Sequence, residues 1–149
     1  MESWTWGLSL TALTIAIHAT GVAFMGFALR SIMNQNHSHG SMRAFAMLIG
    51  TIGISGLLLA VLHGMEAAVW AEAYLSLGAF NSSGDAILYS LDSMTTRGAS
   101  GLVLKQPCRI MGALEASDGM LLFGISTAFL FAVMQRGLFK MADSSYRRK

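Results

Sequence analysis

Ser90-Leu91-Asp92-Ser93-Met94-Thr95-Thr96-Arg97-Gly98-Ala99-Ser100-Gly101 is the stretch on which the fold turns. It starts as a helix-forming run and passes through two threonines into a glycine-bearing loop. Apolar segments of membrane length lie on either side of it. Residues 6–29 are 24 positions with no charge and one histidine, and residues 44–62 are 19 uncharged positions. Residues 110–134 are interrupted only by Glu115 and Asp118. About 20 apolar residues span a bilayer core, so each segment predicts a transmembrane helix. The stretch 85–96 is too short to cross and is flanked by Gly84 and Gly98. At membrane depth such a piece reads as core or re-entrant. Any non-helical backbone there must be buried in protein or line a cavity.

Composition agrees with a membrane chain. Of 149 residues, 54% are hydrophobic and 12% charged, with mean hydropathy +0.55; soluble domains carry about 25% charged residues. The net charge is +2, and basic residues are not interleaved with aromatics, so nucleic-acid binding has no support. The single cysteine, Cys108, excludes an intrachain disulfide framework. It reads as an unpaired structural thiol, with a bridge between subunits as the alternative. The start, Met1-Glu2-Ser3, lacks the basic region of a signal peptide.

Lys and Arg set the orientation. The loop 30–43 carries Arg30 and Arg43, and the tail carries Arg136, Lys140, Arg147, Arg148 and Lys149. Three spans put this loop and the C-terminus in the cytoplasm, with the N-terminus and residues 64–109 outside. Residues 63–80 are expected to continue the second helix, with Trp70 and Tyr74 on one face as an interfacial aromatic belt. Asn81-Ser82-Ser83-Gly84 reads as a turn, which places Asp85 at the N-terminus of the short helix.

From His63 to Arg136 the chain resembles the potassium-channel family. Thr95-Thr96-Arg97-Gly98 follows Tyr89-Ser90 and precedes Gly112-Ala113-Leu114-Glu115-Ala116, as a pore helix and filter precede an inner helix. The run from Gly119 to Phe129 is similar to that pore-lining helix. The resemblance implies a small bacterial pore-domain channel with an added N-terminal span. The expected architecture is an all-α membrane protein with three transmembrane helices, a re-entrant pore helix and a filter-like loop. It also implies a homotetramer around one central pore. Residues 1–43 would be the first span and a cytoplasmic loop, residues 44–136 the pore domain, and residues 137–149 a cytoplasmic tail. The implied setting is a plasma or bacterial inner membrane, with lipid and inorganic ions as partners. No cofactor is expected beyond the permeant monovalent ion, potassium in the family itself.

The filter departs from the family, which reads Thr-Thr-x-Gly-Tyr-Gly-Asp. Potassium filters work because backbone carbonyls replace the ion's water shell. Thr96 matches the innermost filter position, and Gly98 matches the first glycine. Arg97 stands where the family packs a small apolar residue. Ala99 replaces the bracing aromatic, Ser100 the second glycine and Gly101 the acidic mouth residue. A non-glycine residue resists positive φ, and a lost ring removes packing area. These changes predict weak or altered cation selectivity. A buried guanidinium must be paired, and Asp92 five residues earlier is the preferred partner. The alternatives for Arg97 are an unpaired side chain in outer water, or a ring of arginines facing the pore.

Other ionisable residues have two readings each. Glu115 and Asp118 could ring an inner cavity and favour cations; alternatively Glu115 braces the pore helix through hydrogen bonds. Gly119 and Gly124 serve close packing or a gating hinge. His18 is expected to bond a neighbouring helix rather than carry protons. His63 and Glu66 share a helix face, but two ligands do not complete a metal site. His37 and His39 could sense pH in a loop. No nucleotide loop, metalloprotease helix or nucleophile elbow is present, and no arginine-rich voltage sensor, so no enzyme is expected. Two alternatives to a cation channel remain: a non-conducting channel-like scaffold or subunit, and an anion or proton pathway using Arg97 or His18.

Overall fold

The computed structural model describes residues 2–35, 41–98, 101–105 and 108–146. Ala99, Ser100, His37 and His39 therefore lie outside the described residues. Four helices follow one another: α1 (Glu2–Gln35), α2 (Ser41–Ser76), α3 (Ser83–Met94) and α4 (Arg109–Tyr146). Windows within α1, α2 and α4 are long and apolar enough to cross a membrane, at Ser3–Ser31, Met42–Ser76 and Arg109–Asp143. The architecture is that of an all-helical, multi-pass membrane protein. Each long helix runs past the apolar segment that predicts it.

The short helix is delimited at both ends by side-chain and backbone caps. Ser82 has extended backbone, and its hydroxyl accepts from the Asp85 N–H at 3.4 Å. Asp85 adds an acid in the first turn, where the helix dipole favours it. At the other end, Thr96 N–H donates to Ser93 C=O and Arg97 N–H to Asp92 C=O. This pair of bonds is a Schellman cap. Its left-handed residue is Thr96, at φ 56°, where a β-branched side chain is strained. The C-terminus of α2 has the same cap, with Gly78 at φ 66° in the left-handed place.

α3 packs between α2 and α4, and α1 lies along α4 and α2. Glycines seat α3 on α4. A Cβ on Gly119 would strike the Met94 backbone, and one on Gly112 would strike the Tyr89 hydroxyl. Around these contacts Leu10, Trp70, Tyr74, Met94, Leu104, Met111 and Leu122 form the buried core. Apolar side chains such as Phe24, Phe27, Leu57, Val61, Met120 and Phe131 are exposed on the long helices. That outward face is suited to lipid, since helices hydrophobic all round belong in a membrane.

Candidate functional site: a polar column and an exposed loop

Most of the buried polar residues of the long helices fall on three matching stripes. On α1 they are Thr14 and His18; on α2, His63, Glu66, Trp70 and Tyr74; on α4, Glu115, Asp118 and Ser126. Steps of three or four, or of eight between Asp118 and Ser126, place each set on one helix face. The stripes meet in the middle of the bundle. From Glu115 to Ser126 the column extends about 16 Å, at 1.5 Å of rise per residue.

Three layers make up the column. In the first, Glu115 accepts from the Tyr74 hydroxyl at 2.8 Å and from the Ser90 hydroxyl of α3. In the second, Asp118 Oδ2 accepts from Thr14 Oγ1 at 2.5 Å and Trp70 Nε1 at 3.2 Å. In the third, His18 Nδ1 lies 2.9 Å from Glu66 Oε1, and Ser126 Oγ lies 3.1 Å from His18 Nε2 and from His63 Nε2. His18, Glu66, Glu115, Asp118, Trp70 and Tyr74 have no exposed surface. A buried carboxylate needs hydrogen-bond donors, and the phenol, indole and hydroxyls supply them without adding charge.

Two sequence expectations are corrected here. Trp70 and Tyr74 do not form an interfacial belt; both are fully buried, because their shared face is turned onto the α4 carboxylates. Glu115 and Asp118 do not border an open cavity, because both are enclosed within a single chain. Glu115 instead bridges α4 to α3 and α2, and Ser93 Oγ adds a bond to Gly112 C=O at 3.0 Å. His18 bonds to α2 and α4.

The filter-like stretch lies apart from this column. Residues 95–98 are exposed. Arg97 Nη2 sits 2.9 Å from Asp92 Oδ1 and 3.1 Å from Oδ2, with Asp92 buried and the arginine side chain 65% exposed. Thr95 Oγ1 donates back to Leu91 C=O at 2.7 Å. Gly98 and Gly101 have φ of 83° and 82°. Lys105 Nζ then donates to Gly78 C=O at 2.9 Å, tying the returning chain to the α2 cap. Cys108 is buried and unpaired, and burial pushes its thiol pKa up against the opposing pull of Lys105. Gly119 packs against α3, whereas a Cβ on Gly124 would meet nothing within 4 Å.

The sequence pairs His63 with Glu66 and Glu115 with Asp118, each pair within one helix, but does not join these pairs or His18 across helices. It does not reveal Thr14, Trp70 and Tyr74 as hydrogen-bond donors, or Ser126 as the partner of two histidines. The available signal was the repeated three-and-four spacing of polar residues across three apolar helices. No protein-family model matches the chain, and searches among curated proteins and among solved structures find no match.

Proposed function

We propose that the chain is a subunit of a pore-loop ion channel of the potassium-channel-like kind, passing monovalent cations with weak or altered selectivity. The observation that carries this reading is α3. It is a 12-residue helix wedged between membrane-length helices, and it ends in an exposed turn. Polar backbone at membrane depth has to face protein or water. Residues 95–98 meet that condition when copies of the chain surround a common axis, with four copies as the family resemblance implies. The C-terminal end of α3 then directs its partial negative charge towards the axis, which favours cations.

In this reading Thr95, Thr96, Arg97, Gly98, Ala99, Ser100 and Gly101 form the altered filter, and Asp92 supports it through Arg97. Glu115 braces the pore helix rather than charging a cavity. A non-conducting scaffold is the second reading, favoured by one observation: Thr96 closes a tight helix cap instead of continuing an extended carbonyl ladder.

Ion flux through purified protein in liposomes tests the proposal, with potassium, sodium and chloride gradients compared separately. Cation flux that falls at least about tenfold on Thr96→Val is the expected result. Chloride flux alone, or no flux from a folded oligomer, overturns the cation channel; the second outcome favours the scaffold.

A further inference from the structure

The third layer of the column has one hydrogen too few. Four contacts join His18, His63, Glu66 and Ser126 in a ring. His18 Nδ1 faces Glu66 Oε1 at 2.9 Å, and His63 Nδ1 faces Glu66 Oε2 at 3.4 Å. Both Nε2 atoms face Ser126 Oγ at 3.1 Å. Each contact needs a hydrogen between its two heavy atoms. Two neutral imidazoles and one hydroxyl supply three, and an ionised carboxylate supplies none. One pair of lone pairs is left opposed. His63 Nδ1 and Glu66 Oε2 are the atoms that have no hydrogen-bond partner although buried.

We propose that His18, His63 and Glu66 hold one divalent transition-metal ion of the zinc class inside the membrane bundle. Among the described residues each offers a ligand atom, and all three lie within 4.8 Å of one another. Zinc binds imidazole nitrogen and carboxylate oxygen at roughly 2.0–2.2 Å. Neighbouring ligands of a tetrahedral ion are then about 3.3 Å apart; the two histidine–Glu66 separations are 2.9 and 3.4 Å, each to a different carboxylate oxygen, and all three residues stay within 4.8 Å. With metal on both Nδ1 atoms, both Nε2 atoms carry hydrogen. Both donate to Ser126 Oγ, whose two lone pairs accept them, and the deficit disappears. A ligand histidine typically donates its second N–H to such an acceptor, which fixes tautomer and ring orientation. His63 is further held by stacking on Phe123, with ring centroids 4.7 Å apart.

Charge balance agrees. Glu66 and, one turn along the column, Asp118 supply two carboxylates, which together offset a divalent ion where unpaired charge is costly. Asp118 Oδ1 is likewise buried without a hydrogen-bond partner among the described residues. Three protein ligands leave the fourth tetrahedral position for water. His63 provides the only partly open edge of the three, at 15% side-chain exposure against 0% for the other two.

The test is a cobalt titration of chelator-stripped protein in detergent, in a His37→Ala, His39→Ala background that removes the loop histidines. The expected result is one Co2+ per chain with the intense visible absorption of a tetrahedral ion, displaced by Zn2+. Glu66→Gln and His18→Gln should each weaken binding by about 100-fold or more, and Ser126→Ala by about tenfold. Zn2+ should raise the Tm of the parent but not of Glu66→Gln, a readout that also shows the variant folded. Absorption unchanged by Glu66→Gln and His18→Gln overturns the proposal. So does a folded parent that takes up no Co2+; an imidazolium signal from His18 or His63 would then identify the missing hydrogen as a bound proton. None of these readouts is ion flux, so failure here leaves the channel reading standing.

Discussion

In the interior, Tyr74 and Trp70 donate to Glu115 and Asp118, and all four side chains are fully buried. At the end of α3, by contrast, Arg97 reaches Asp92 from a side chain 65% exposed, and the turn around it is open. Both regions give a carboxyl group a hydrogen-bond donor, yet the physical stakes differ. Removing a donor from the column leaves a carboxylate that water cannot reach, so the whole desolvation cost is felt. In the Arg97–Asp92 pair the guanidinium stands mostly in solvent although Asp92 is buried, and screening of the arginine limits what the pair contributes. The interior is built to hold the helices together. The loop is built to remain accessible.

The sharpest way to break this contrast is Tyr74→Phe, which removes one donor to Glu115 and nothing else of size. It should cost about 1–2 kcal/mol, the range for a buried acceptor that loses its donor, read as a lowered denaturation midpoint in detergent. A change below the error of that measurement would mean that Glu115 does not depend on the phenol. A smaller effect is expected in the loop. In a double-mutant cycle of Asp92→Asn and Arg97→Gln, the coupling should be about 1 kcal/mol, with the double variant less harmed than additivity predicts. Additive single effects would remove the pair from the account. The smallest effect is a gain. Thr96→Gly should stabilise the cap of α3 by about 0.5–1 kcal/mol, since glycine takes positive φ freely, while lowering any cation flux. Loss of stability would mean that the threonine side chain contributes more than its backbone costs.

The two Schellman caps show where local sequence falls short as a guide. Residues 63–80 are expected to be helical, yet α2 ends at Ser76, with Gly78 in the left-handed place that glycine suits. Thr95-Thr96-Arg97 announces no left-handed residue, because sterics argue against a threonine at that φ. Tertiary packing of α3 overrides the local preference. The membrane helices were legible from apolar length alone, and the extent of α3 from its turn cluster and bounding glycines. The ionisable members of the column were each visible as isolated polar residues in apolar helices. Their partners were not, because a helix stripe does not reveal which neighbour it meets. Trp70 and Tyr74 illustrate the gap: the same face fits a headgroup layer or a buried acid, and only the presence of Glu115 and Asp118 opposite decides between them.

The glycine seat on α4 carries a consequence for biogenesis. α3 is too short to be recognised as a span, and the Ser90 and Ser93 hydroxyls on its polar face bond to α2 and α4. Gly112 and Gly119, which receive Tyr89 and the end of α3, leave the ribosome after it. The segment must therefore wait at the membrane surface until α4 is inserted, and enter by docking rather than by insertion. Assembly of this chain would end, not begin, with the element that gives the fold its character.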